Sequence, residues 1–247
     1  MTEEKLLDSY NVIEYKKENI YIIENIFSDE LCEKLIDIIV KTSLTKTQYE
    51  DTNNVLCYHS HFNELLADNE QFYYKFSTDV NEYKRLLDNV NNKKDIVTNK
   101  MNGITKKQLK CVFFEITKKM KIISEIIKKR NHYLNLEYCH DFILRKIFGK
   151  TRIHTDGIKE FYHSNVISFT ENYLREYRMV RTASIIFALN DDFDGGIFNF
   201  NSHDVSFKLN KGSVVIFPPY WTHPHEVSEP QNNKYRYTLS TWACHPL

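Results

Sequence analysis

Hydrophobic and polar positions fall into two regimes along the chain. In the first half, apolar residues recur at helical spacing: Leu31, Leu35, Ile38 and Ile39 in one set, and Leu109, Val112, Phe113, Ile116, Met120, Ile123 and Ile127 in another. Residues three and four apart share a helix face, so each set predicts a helix with one buried stripe. The flanks agree. Ser28-Asp29-Glu30 supplies an N-cap oxygen and two acidic groups for the positive end of the first helix. Thr105 and Gln108 have capping-box spacing, and Lys128-Lys129-Arg130 closes the second helix where cations complement the dipole. A β-branched run, Ile20-Tyr21-Ile22-Ile23, reads as a strand ahead of the first helix.

From Lys46 to Gly103 the chain is polar and rich in Asn, Asp and Lys. A helix through Phe76, Val80, Tyr83 and Leu87 and a turn around 91–94 are predicted there. His59 and His61 read as part of a solvated loop, because no carboxylate in matching register follows them.

After residue 135 the pattern shortens to strands. Cys139 to Phe148, Thr182 to Asn190, Ile197 to Phe200, Val205 to Leu209 and Ser213 to Phe217 are rich in β-formers and separated by Asn/Gly turns. Gly157 to Val180, carrying Tyr162, His163, Tyr173 and Tyr177, reads as an irregular loop suited to a lid or substrate wall. Evenly spaced short strands predict a double-stranded β-helix of the jelly-roll kind. The fold class is therefore α+β, with N-terminal helices packed on one face of that β-helix. Residues 1–135 form the strand-and-helix region, with an insertion at about 46–103, and 136–247 form the core of a single structural domain.

Composition narrows the partners. Basic and acidic residues balance at 33 each, so no global field draws the chain to nucleic acid or an anionic membrane. An aromatic content of 14% favours a folded core over disorder. Five cysteines without paired spacing read as free thiols of a reducing compartment. No apolar h-region follows Met1 and no run spans a bilayer, so a cytoplasmic protein is expected. Nothing in the sequence sets an oligomeric state.

The chemistry begins at Arg152-Ile153-His154-Thr155-Asp156-Gly157. Alternate residues of an extended segment point to one side, so His154 and Asp156 can reach one metal ion. A second imidazole completes a 2-His-1-carboxylate triad, which leaves open positions on the ion. The candidates are His225 and His223 in Trp221-Thr222-His223-Pro224-His225-Glu226-Val227. A basic strand, Lys234 to Trp242, follows.

This order of parts resembles the prolyl 4-hydroxylase branch of the Fe(II)/2-oxoglutarate dioxygenases. In that family the distal His is commonly followed by a small or acidic residue, Val and a Pro. His225-Glu226-Val227-Ser228-Glu229-Pro230 matches, with the Pro one residue late. The resemblance thus implies Fe(II) on His154, Asp156 and His225, with His223 in the pocket. It also implies 2-oxoglutarate and O2 as co-substrates, and succinate and CO2 as products. Arg236 stands six residues before Trp242, as the family's 2-oxoglutarate anchor does, with Lys234 as fallback and Thr238 and Ser240 on the same face. Arg181 stands where related chains carry an Arg before the strand-turn Asn, and with Tyr162, His223 and Trp221 it forms a candidate substrate wall. The carboxylate at Asp156 speaks against a halogenase. Two family tyrosines near 2-oxoglutarate are replaced by Ile147 and Ala188, and polar residues after Gly195-Gly196 by Ile197-Phe198, which puts the substrate in question. Prolyl hydroxylation of a protein or peptide is the leading expectation. Hydroxylation of a free amino acid or small molecule is the alternative, and a non-catalytic jelly-roll binding module is the alternative of a different class.

Overall fold

The computed structural model describes residues 7, 9–42, 45–48, 55–62, 65, 74–75, 103–134, 136, 138–139, 142–157, 161–167 and 174–246. The helix expected through Phe76 and Leu87 and the turn at 91–94 lie outside these residues, as do Tyr173 and the side chains of Tyr162, His163 and Tyr177.

Both helices form where the periodicity places them. Helix α1 (Asp29–Lys41) is capped by Ser28, whose hydroxyl accepts from Leu31 N at 3.3 Å, a contact of about 1 kcal/mol. Helix α2 (Lys106–Arg130) carries the full capping box, with Thr105 N donating to Gln108 Oε1 at 2.9 Å and Gln108 N to Thr105 Oγ1 at 3.2 Å. Leu31, Leu35, Ile38 and Ile39 of α1 are buried, as are Leu109, Phe113, Ile116, Met120, Ile123 and Ile127 of α2. These stripes meet the outer face of a large antiparallel sheet through Ile185, Phe187, Ile216 and Leu239. None of the described helices is long and apolar enough to cross a membrane.

The large sheet runs in the order β1 (Val12–Tyr15), β2 (Ile20–Ile23), β13 (Val214–Phe217), β10 (Leu174–Ala188), β15 (Arg236–Pro246), β7 (Ile143–Ile147), β4 (Val55–His61) and β3 (Thr45–Gln48). Off this path, β5 (Tyr74–Lys75) pairs with β6 (Tyr138–Cys139), β6 with β15, and β9 (Phe161–Ile167) with β10. A smaller sheet runs β12 (Val205–Lys208), β11 (Ile197–Phe200), β14 (His225–Val227) and β8 (Thr151–His154). Between the sheets lies a second apolar layer of Ile20, Ile22, Phe198, Phe200, Val215, Phe217 and Val227. Two antiparallel sheets around one core, with helices on the outer face, form the expected α+β jelly roll.

Two expectations are corrected. His59 and His61 do not lie in a loop, because β4 pairs along the open edge of β7, with His59 opposite Arg145. The stretch from Gly157 to Val180 is not irregular throughout. β10 is a 15-residue strand that extends past its neighbours and pairs with β9, so the two form a hairpin.

Candidate metal centre

Three side chains separated widely in sequence converge at one end of the sandwich. His154 closes β8 and His225 opens β14, and the two strands pair antiparallel with these residues directly opposite. The imidazole rings are 4.4 Å apart between centroids, and one donor atom from each of His154, Asp156 and His225 lies within 4.8 Å of the others. Each ring is fixed by the carbonyl two residues earlier on its own segment. His154 Nδ1 lies 2.8 Å from Arg152 O, and His225 Nδ1 lies 3.1 Å from His223 O. With Nδ1–H donating to those carbonyls, the Nε2 lone pairs are left for a metal.

The carboxylate is positioned from the large sheet. Ser184, 1% exposed on β10, donates its hydroxyl to Asp156 Oδ2. Oδ1 is thereby left toward His154, 3.6 Å from its Nε2. That separation exceeds a hydrogen bond, and donors about 2.1 Å from a common ion span about 3 to 4 Å. Arg181 Nη1 donates to Asp156 O at 2.9 Å, and its guanidinium lies 3.8 Å over the Trp242 ring. Gly157, at φ +73°, donates to Pro219 O at 2.8 Å and completes the turn that holds Asp156 in place.

Electrostatics favours an ionised Asp156 and a neutral His225. Burial pushes the Asp156 carboxyl up, but the His154 imidazole, the charge of His225 and the Ser184 hydroxyl outweigh it and hold the group well below the usual carboxylate range. Burial lowers His225, which stays neutral and able to ligate. Burial also lowers His154, yet the adjoining Asp156 carboxylate and the Arg152 carbonyl win and leave it raised.

Beside the triad a cavity of about 370 Å³ runs between the sheets, with Ile147, Ile186, Phe198, Thr238, Ser240 and Arg236 in its wall. Arg236 is 5% exposed, its Nη2 lies 3.4 Å from Thr151 Oγ1, and its Nε has no hydrogen-bond partner among the described residues. Burial, and then the charge of Arg145, bring the guanidinium down to about 10, so it remains a cation at neutral pH. A buried cation with a spare donor beside a two-imidazole, one-carboxylate set fits both Fe(II) and an anionic co-substrate.

Other candidates fall elsewhere. Lys234 is outside the cavity, its ammonium 3.0 Å from Asp192 Oδ2. Asn232 and Asn233 adopt left-handed φ of 62° and 55° just before it, so the alternation of β15 does not extend back to Lys234. His223 is buried with Nε2 2.6 Å from Glu18 O, a structural contact away from the cavity. Trp221 is 80% exposed and outside the cavity. Arg181 is likewise not in the cavity wall, because the register shift between Arg181 and Ala183 accompanies its turn toward Asp156 and Trp242. Sequence reasoning missed Ser184 and Arg145. The signal for both was strand alternation, which sets Ser184 with Ile186, and Arg145 with Ile143 and Ile147, on the inward face.

The family model of the 2OG-Fe(II) oxygenase superfamily matches residues 146–244, the segment that supplies all three ligands and Arg236. Among curated proteins none matches the sequence. Two solved structures share the fold. One is a prolyl hydroxylase from Trichoplax adhaerens in complex with a hypoxia inducible factor oxygen degradation domain peptide fragment. It has 9% identity and a TM-score of 0.50, covering 97% of this chain and 87% of that one. The other is an oxidoreductase of the 2OG-Fe(II) oxygenase family from Burkholderia pseudomallei. It has 11% identity and a TM-score of 0.50, covering 98% and 89%. Imidazoles and carboxylate converge inside the very segment, residues 146–244, that is similar to the 2OG-Fe(II) oxygenase superfamily.

Proposed function

We propose that the protein hydroxylates an unactivated C–H bond of proline in a protein or peptide, with succinate and CO2 as co-products. The observation that carries this reading is how open the metal centre is. His154 has 40% of its side chain exposed, and Trp221, 80% exposed, lies on the segment that Pro219 ties to Gly157. An aromatic plate at the rim suits an extended peptide laid across the surface better than a ligand enclosed on all sides. The shared fold with a prolyl hydroxylase held with a peptide supports the same choice.

Each side chain then has a task. His154, Asp156 and His225 would hold Fe(II), which, when bound with 2-oxoglutarate and O2, supplies the oxidising power for hydroxylation. Arg236 would neutralise the far carboxylate of 2-oxoglutarate through a paired hydrogen bond, with Thr238 beside it. Ser184 and Arg181 keep the Asp156 carboxylate aimed, and Phe198, Ile147 and Ile186 keep water from the inner wall.

The test is to incubate the protein with Fe(II), ascorbate, 2-oxoglutarate and O2 in the presence of proline-containing peptides, and follow succinate and peptide mass. Peptide-dependent succinate formation with one oxygen gained on proline is the expected result. Oxygen gained on a free amino acid alone, with no peptide modified, overturns the peptidyl reading in favour of the small-molecule one.

A further inference from the structure

The cavity holds a second guanidinium that the roles above leave unused. Ile143, Arg145 and Ile147 alternate on the inward face of β7, and all three line the cavity. Arg145 stands opposite Thr238 of β15 on one side and His59 of β4 on the other. Its Nη1 donates to Ser240 Oγ, so the side chain reaches along β15 away from Arg236. The next inward residue of β15 is Trp242, paired with Ser184, which holds Asp156. Arg236 reaches the other way, to Thr151 at the far end of β8 from His154. One cation therefore stands near the metal ligands and the other at the opposite end of the same cavity.

The charges do not balance within the wall. Among the described residues, two guanidiniums, Arg145 and Arg236, face one carboxylate, Asp156, and the partners found there for the two cations are hydroxyls. A divalent ion on the triad widens the excess. Like charges in a low-dielectric wall are strongly unfavourable without counter-ions, so the loaded cavity requires negative charge at both ends.

We propose that Arg145 binds the carboxylate adjacent to the keto group of the 2-oxo acid while Arg236 takes the far one, so that the cavity reads a dicarboxylate at both ends. This rests on the oxygenase assignment and adds a co-substrate-binding residue to it. The planar fork of the Arg145 guanidinium can pair with both oxygens of a carboxylate.

The experiment is calorimetric titration of the oxygen-free, Mn(II)-loaded protein with 2-oxoglutarate and with 2-oxobutyrate, which lacks the far carboxylate. Arg145→Gln is expected to weaken both acids by about 10- to 100-fold, the range of one charge-assisted hydrogen bond. Arg236→Gln is expected to weaken 2-oxoglutarate by a similar factor and to leave 2-oxobutyrate within about twofold. Mn(II) affinity measured without either acid should hold or rise in Arg145→Gln, because a like charge has been removed. Unchanged affinity for both acids in Arg145→Gln overturns the proposal, and so does a loss of Mn(II) affinity, which would make the residue a support of the metal centre. Should the glutamine variant not fold, Arg145→Lys decides: charge without the fork is expected to lose about 3- to 10-fold on both acids, and no loss overturns the proposal. A wild-type protein that binds Mn(II) and neither acid removes the oxygenase assignment as well, whereas normal binding by wild type and Arg145→Gln alike removes only the role of Arg145.

Discussion

Replacing Ser184 with alanine removes one hydroxyl from the interior and leaves every metal ligand in place. Ser184 is 1% exposed, Asp156 keeps 12% of its side chain exposed, and the Ser184 hydroxyl is the donor to Asp156 Oδ2. Without it that oxygen loses its partner and the carboxylate is free to rotate away from the imidazoles. A hydrogen bond to an ionised acceptor contributes about 1.5–3 kcal/mol. At about 1.4 kcal/mol per decade that is roughly a 10- to 100-fold loss of metal affinity, the range typical when a group supporting a ligand is removed. The assay is anaerobic titration with Mn(II), read by calorimetry and by the electron paramagnetic resonance of the free ion, with thermal melting to confirm folding. Ser184→Thr, which keeps the hydroxyl, should recover much of the loss. If Ser184→Ala folds and binds Mn(II) within about twofold of wild type, the carboxylate is held by the backbone alone and the reasoning fails.

Two further outcomes follow from the same geometry. Gly195 has φ +78°, and a Cβ there would stand 2.2 Å from the Glu229 carbonyl oxygen, so Gly195→Ala should destabilise by more than about 1 kcal/mol and lower the melting temperature, with an unchanged melt refuting the contact. Cys111 is exposed, whereas Cys32 is buried and its thiol is pushed up to about 11, chiefly by burial, so brief iodoacetamide treatment at neutral pH should label Cys111 and spare Cys32, as read by peptide mass spectrometry.

The helices and most strands of the second half were legible because their signals are local. Capping residues sit beside each apolar stripe, and Asn/Gly turns separate the strands from Ile197 to Phe217. His154, Asp156 and His225 were legible for a different reason: their residue types and order matched a family whose spacing is informative. What sequence did not reveal depends on pairing. β4 and the first half of β10 lie along open edges of neighbouring strands, and their polar residues carry little β-signal of their own. Arg145 was read as part of a β-rich run and not as one member of an inward row. Alternation misled at Lys234, where left-handed asparagines interrupt the strand before Arg236, and at Arg181, where a register shift intervenes.

The origin of the ligands has a mechanical consequence. His154 and His225 belong to the small sheet, while Asp156 is gripped by Ser184 and Arg181 of the large one. An ion shared by all three would act as a rivet through both layers at the open end of the sandwich, where a cavity takes the place of the apolar filling. Stripping such an ion with a chelator would therefore loosen the seam between the layers.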